Sequence, residues 1–447
     1  MYFLGVLFVV IGVGASIALH EVGHLLPAKK FGVKVTQYMV GFGPTIWSRK
    51  RGETEYGLKA VPLGGYIRMI GMFPPKAGAD PSILRASSTG RFSQLMDQAR
   101  QESMEQVKAG DENRVFYQLS VPRKIVVMLG GPAMNLVIAV VLLTGIFTLY
   151  GIGQITARVS AVSQCVQTVP ANGTAPATCS PSDPQAPANV AGIRPGDRVI
   201  SLAGQPVSTW DDVRALIRPN GGRQIDVVVE RGGQRLALKA TPILNDVPRV
   251  DAAGNPVVGS DGKILTDRVG FMGFSPSAEI VKQPLAAAPA LIGDQVARTA
   301  GVVFRIPQKM VGIAKAAFGD GARDPNGPIS VVGVGRVAGE VADGQLSGVG
   351  ESGSSRFVIL LSLIASLNLA LFVFNLIPLL PLDGGHVAGA LWEGIKRQVA
   401  KLRGRPNPGY VDVAKALPVA YGVSIALIGM SALLIYADVV NPIKLGG

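Results

Sequence analysis

Apolar residues along this chain gather into four runs, at 2–26, 125–152, 357–382 and 416–436. Each reaches the roughly 20 mostly apolar residues that a helix needs to cross a bilayer. The first run is the most extreme, with no charged side chain anywhere in residues 1–19. The first three also carry polar or helix-breaking residues at depth. Such residues are costly against lipid and belong against a protein interior or a wet cavity. The fourth run is plainer and reads as structural. The first run lacks the basic start and small-residue cleavage site of a signal peptide, so it reads as a retained span.

Between the runs the pattern changes period. Residues 33–72 alternate and are rich in glycine and aromatics, which predicts short strands and turns, either packed at the membrane interface or forming an ordinary surface hairpin. Residues 92–116 are polar, with Leu95, Ala99, Met104 and Val107 at rough helical spacing, and predict a surface helix. Strand-like stretches at 155–162, 191–202 and 224–231 surround a helical pattern at 209–217 and predict one compact β-rich domain. Residues 246–267 read as a hairpin or a loose loop and 285–318 as amphipathic helices, while 320–353 are glycine-rich and ambiguous. The expected division is span 1–27, loop 28–123, span 124–152, domain 153–245, loop and helices 246–356, span 357–383, loop 384–415, span 416–437 and tail 438–447.

Charge sets the orientation of these pieces. The chain is 48% hydrophobic and only 16% charged, low for a soluble globular protein, with a formal net charge of +13. The excess sits beside the spans: Lys29, Lys30, Lys34, Arg49, Lys50 and Arg51 after the first, Arg123 and Lys124 before the second, and Lys396, Arg397, Lys401, Arg403 and Arg405 before the fourth. That is a membrane-topology pattern rather than a nucleic-acid footprint, and it places both loops in the cytoplasm. Residues 153–356 hold 20 basic and 17 acidic side chains, without strong bias, and fall outside the cell together with both termini. A multi-pass plasma-membrane protein follows. Cys165 and Cys179 are the only cysteines. They lie in the outer segment, where a disulfide is stable, and closing that loop contributes about 3 kcal/mol in the chain-entropy model.

Candidate chemistry is concentrated in two places. Of three histidines, His20 and His24 flank Glu21 in an H-E-x-x-H pattern within the first span, and His386 lies just beyond the third. On a helix His20 and His24 share one face, so one cation bridges them, with Glu21 beside it as general base. A catalytic zinc takes three protein ligands. Asp383, at the end of the third run, is the favoured third, with His386 as the competitor further out. Pro378 and Pro381 break the helix before Asp383, and Gly384 and Gly385 after it permit unusual backbone conformations.

Together, His20-Glu21-x-x-His24 and Asn375-x-x-Pro378-x-x-Pro381-Leu382-Asp383-Gly384-Gly385 resemble the site-2 protease family of intramembrane zinc metalloproteases, in the regulator-of-sigma-E branch and its actinobacterial single-PDZ members. The likeness extends to Gly41-Phe42-Gly43-Pro44, to Val61-Pro62-Leu63-Gly64-Gly65-Tyr66, and to Gly131-Pro132 with Asn135. Residues 191–197, Ala-Gly-Ile-Arg-Pro-Gly-Asp, are similar to a PDZ domain. The resemblance implies a polytopic α-helical membrane protein with four transmembrane helices, a membrane-associated β-rich cytoplasmic element and one extracytoplasmic PDZ-like α+β domain. It implies one catalytic Zn²⁺ on His20, His24 and Asp383, towards the cytoplasmic side of the membrane. Glu21 is then the base, and Asn375 holds substrate backbone or assists the tetrahedral intermediate. Gly64, Gly65 and Tyr66 belong to an element that receives an unwound substrate as an added strand. Asn135 is read as glue between spans. The implied substrates are single-pass membrane proteins of anti-sigma-factor type, already trimmed outside by another protease. A membrane-anchored zincin cutting soluble proteins, and a non-enzymatic PDZ scaffold, are the alternative classes.

Overall fold

The first apolar run folds as helix α1, Tyr2–Lys30. A span in lipid must satisfy its backbone polar groups internally, which leaves the helix as the open choice. It runs past Pro27 and ends where Gly32 adopts a left-handed φ of 84° and the Val33 N–H bonds the Ala28 carbonyl. The structure is a computed structural model. It describes residues 1–75, 96, 98–101, 103, 107–166, 179–180, 183–249, 257, 259, 265–319, 323–324, 327–344 and 353–442. Much of the expected 246–267 segment, and part of the 92–116 helix, lie outside these residues. Where 92–116 is described, residues 98–101 are helical, but Glu112–Arg114 is a 3₁₀ turn and not part of one continuous helix.

The alternating segment forms strands β1, Val35–Arg51, and β2, Thr54–Met69, joined at Gly52. The pairing folds back on itself. Val40 lies opposite both Gly65 and Leu58, and Thr45 opposite Lys59. The order across this small sheet is therefore 65–69, 35–40, 55–59, 45–51, with 65–69 at one edge. Val33, Val35 and Met69 pack with Leu25 and Ala28 of α1. The Tyr38 hydroxyl donates to the Ala18 carbonyl at 2.8 Å, pinning the sheet to α1. Burial, and then the nearby Glu21 carboxylate, push that hydroxyl up to about 12, so it stays protonated and keeps donating.

Helix α2, Val121–Gly145, continues through a wider turn at Ile146–Tyr150. It crosses α1 with the two backbones touching: a Cβ on Gly130 would lie 2.0 Å from the Gly23 carbonyl oxygen. Small residues at such crossings let polar groups on the two helices meet.

Two compact units emerge, Tyr150–Gln283 and the remainder. The first holds β3 (Ile152–Val162), β4 (Arg198–Leu202), helix α3 (Trp210–Ile217), β5 (Ile225–Arg231), β6 (Gln234–Ala240), β7 (Ile243–Pro248), β8 (Thr266–Phe271) and β9 (Phe274–Val281). Strands β9, β3, β4, β5 and β6 form one antiparallel sheet in that order. The domain therefore does not end at 245. Its edge strand comes from 274–281, a short alternating segment whose partner, β3, lies more than a hundred residues earlier. Asp197, in the Gly-Asp turn, is fully buried and takes the Arg231 guanidinium at 2.7 Å and the Arg194 N–H at 2.9 Å. Burial alone would raise its carboxyl, but these two donors outweigh burial and hold it below its ordinary value. Thr209 caps α3 reciprocally with Asp212. Cys165 and Cys179 are disulfide-bonded, with Cα atoms 6.0 Å apart.

The second unit continues with α4 (Ala288–Phe304), α5 (Ile306–Phe318), α6 (Val331–Asp343), α7 (Gly353–Asn375), α8 (Asp383–Leu402) and α9 (Leu417–Val440). Among the described residues, four helical stretches are long and apolar enough to cross a membrane: Tyr2–Lys30, Val121–Tyr150, Gly353–Asn375 and Val413–Val440. Two expectations change here. The third span stops at Asn375, and most of the expected loop 384–415 is the 20-residue helix α8. Its Val387, Ala390, Leu391, Gly394 and Ile395 recur at helical spacing, a period obscured by the flanking basic residues. The fourth span is also less plain than its composition. Near its end Asp438 is buried in an ion pair with Arg323 and accepts from the Ser330 N–H at 2.6 Å, tying it to the start of α6.

Candidate metal centre

Helix α1 presents His20 and His24 one turn apart, their rings edge-on with centroids 4.9 Å apart. The two Nε2 atoms are 3.2 Å apart, and Asp383 Oδ2 lies 3.4 Å from each. Three lone-pair donors thus converge on one point. Two donors about 2.05 Å from a tetrahedral zinc ion stand about 3.3 Å apart. The observed triangle of 3.2, 3.4 and 3.4 Å matches that spacing, so this donor set fits the ion. Among the described residues these three form a cluster able to hold a metal, and His386, one helical turn beyond Asp383, is not part of it.

Each imidazole is held through its other nitrogen. His24 Nδ1 lies 2.8 Å from the Val127 carbonyl oxygen, so Nδ1 carries the proton and Nε2 keeps its lone pair. His20 Nδ1 lies 3.1 Å from the side-chain amide of Asn135, which is fully buried. The Asn135 Oδ1 has no partner as placed. Amide oxygen and nitrogen have the same shape, and exchanging them gives Nδ1–H an acceptor. Asn135 is indeed a link between spans, but the link ends on a histidine of the cluster. Gly131 makes the room: a Cβ there would lie 2.2 Å from His24 Nε2 and 2.7 Å from His20 Cε1.

Asp383 reaches the histidines because α7 ends at Asn375 and the chain doubles back before α8 begins. Gly384 and Gly385 are not at positive φ, contrary to the expectation of unusual backbone conformations. Their requirement is space, since a Cβ on Gly384 would lie 2.3 Å from the Ile377 carbonyl oxygen and one on Gly385 2.5 Å from Leu380 N. Further along α8, Glu393 accepts from buried Lys124 at 2.8 Å and from the Val411 N–H at 3.1 Å. Helix α2 therefore braces all three donors: His24 through Val127, His20 through Asn135 and, through Lys124, the helix that opens with Asp383.

Glu21 is buried beside the histidines. A Cβ on Gly65 would lie 3.0 Å from its Cγ. The edge strand carrying Gly64, Gly65 and Tyr66 therefore passes directly against Glu21. Asn375 is half-buried at the end of α7, and its amide has no hydrogen-bond partner among the described residues. The residues that sequence reasoning missed gave weak signals. Asn368 donates to Ser16 Oγ at 2.9 Å, one turn before His20, and a polar residue mid-span was its only sign. Val127 acts through its backbone, which leaves no mark in side-chain identity.

Comparison with known proteins agrees with this geometry. The family model described as Peptidase family M50 matches residues 8–418. Zinc metalloprotease Rip1 of Mycobacterium tuberculosis is 33% identical over 453 residues, covering 100% of this chain and 99% of that protein. Zinc metalloprotease Rip1 of Mycolicibacterium smegmatis is 30% identical over 453 residues, with the same coverage of 100% and 99%.

Proposed function

The chain belongs to peptidase family M50, and from that membership and the donor triangle we propose a zinc-dependent intramembrane endopeptidase that cuts transmembrane segments of single-pass membrane proteins, of the anti-sigma-factor type, after another protease has trimmed them outside the cell. The observation that carries this reading is the position of His20, Glu21 and His24 within residues 1–28, which hold no other charged side chain, with Asp383 brought to them from beyond the end of another span. A soluble substrate would not require a site built inside apolar helices.

His20, His24 and Asp383 would hold the zinc ion, which supplies Lewis acidity to the scissile carbonyl and an acidified water. Glu21 takes the proton from the attacking water and returns it to the departing amine nitrogen. Its burial keeps competing water away. Asn375, with an uncommitted amide, donates to the oxygen on which charge develops. The edge formed by Gly64, Gly65 and Tyr66 supports substrate capture by strand addition, which satisfies the backbone of an unwound helix while holding it beside Glu21. Positive loops support a topology with the Tyr150–Gln283 unit and both termini outside. That unit reads as PDZ-like. A cavity of about 340 Å³ beside α3, lined by Trp210, Val213, Ile217, Met272 and Phe274, supports a role in reading or sizing trimmed substrates.

Co-expression with a tagged, pre-truncated single-pass protein tests the proposal. Wild type is expected to release the cytoplasmic fragment, while Glu21→Gln purifies with zinc and releases none. Cleavage that persists in the variant would overturn the mechanism. Cleavage of an untethered soluble protein at the same rate would favour the anchored-zincin reading.

A further inference from the structure

Helix α8 has one face with no protein partner among the described residues. Glu393 and Ala390 are buried on its inner side. Opposite them, Leu391, Trp392, Ile395, Val399 and Leu402 are 50%, 55%, 53%, 39% and 81% exposed. At 3.6 residues per turn these five occupy an arc of about 100°. An apolar stripe of that kind facing water is anomalous and marks an interaction surface.

Its depth is given by its neighbours. Gly394 sits against Val121, the first residue of α2, with a Cβ position 3.3 Å from Val121 Cγ1. The turn around Gly394 therefore lies level with the end of a membrane span, where hydrocarbon gives way to headgroups. Lys396, Lys401, Arg403 and Arg405 are exposed along and just beyond residues 391–402, with no ion pair among the described residues. Arg397 is different: its guanidinium lies 5.2 Å over the Tyr410 ring, turned back to the protein.

We propose that the outward face of α8 docks on the anionic phospholipids of the cytoplasmic leaflet. The five apolar side chains enter the acyl boundary, Trp392 sits at headgroup level, and the four free cations hold lipid phosphates. The continuity of this face with the end of a span favours lipid over a soluble partner, and the charge favours anionic lipid over zwitterionic. The helix so held is the one that opens with Asp383 and is braced to α2 by Glu393. The inference rests on the membrane topology proposed above but not on proteolysis, so it is tested without cleavage.

The full chain carrying Trp47→Phe and Trp210→Phe, with Trp392 as sole tryptophan, is placed in nanodiscs of mixed phosphatidylcholine and phosphatidylglycerol. The acyl chains of one lipid or the other are brominated, at equal bromine content. Trp392 emission is expected to be quenched in both, and at least twofold more strongly by brominated phosphatidylglycerol. Replacing Lys396, Lys401, Arg403 and Arg405 with Gln is expected to equalise the two while leaving zinc content unchanged. Absence of quenching by either lipid would overturn the proposal and point to a protein occupant. Equal quenching in the parent protein, or a preference that survives the Gln replacements, would overturn the anionic assignment.

Discussion

Gly131→Ala is the sharpest probe of the metal centre. Its added Cβ would lie 2.2 Å from His24 Nε2 and 2.7 Å from His20 Cε1 and Nε2. Ordinary contact begins near 3.4 Å, so about 1.2 Å of movement is required at His24. The ring cannot yield freely, because it is buried and held by the Val127 carbonyl at 2.8 Å. If α2 retreats instead, Val127 and Asn135 retreat with it and both imidazoles lose their orienting partners. A metal site tolerates about 0.2 Å in its distances, several times less than the shift demanded. Loss of orienting bonds alone costs about 10–100-fold in metal affinity, so direct displacement of a donor is expected to cost ~100-fold or more. Overpacking should add about 1–3 kcal/mol of destabilisation. The assay is zinc stoichiometry and competition with a chelator on purified protein, beside cleavage of a pre-truncated substrate. Gly145→Ala in the same helix, where a Cβ meets nothing within 4 Å, is the control. If Gly131→Ala holds zinc and cleaves as well as Gly145→Ala, the donors do not meet the ion in the arrangement described.

Other changes probe the braces around the site. Asn135→Ala should weaken zinc binding about 10–100-fold with little loss of fold, measured by chelator competition beside thermal unfolding. Glu393→Leu strands buried Lys124 and should cost ~3–5 kcal/mol, while adding Lys124→Met should recover most of it; melting temperatures of the single and double variants decide. In the Tyr150–Gln283 unit, the folded state holds the Asp197 carboxyl below its unfolded value. Its contribution is therefore complete above the unfolded value, about pH 4, and lost as pH falls through the lower folded one. Urea unfolding followed by Trp210 fluorescence should show this acid loss in wild type and a flatter profile in Asp197→Asn. Identical profiles would remove Asp197 from the account.

Local pattern along the chain was enough to define the spans, the β-rich segments and the two halves of the site. Apolar length decides what can cross lipid, alternation decides what can be a strand, and H-E-x-x-H places two imidazoles on one helical face. What meets what was left to long-range packing. Asp383 closes the donor triangle only because α7 stops at Asn375 and Gly384 and Gly385 let the chain fold tightly back. The strand Phe274–Val281 joins a sheet whose other members all precede it. Lys124, which reads in sequence as one more flanking cation, is buried against Glu393, 269 residues away. Gly131 looks like any small residue at a helix crossing until the two histidines are seen beside it. A residue's own type and spacing record how it is buried, but not which distant group it is buried against. The choice of partner is settled only when helices cross and the available volume is filled.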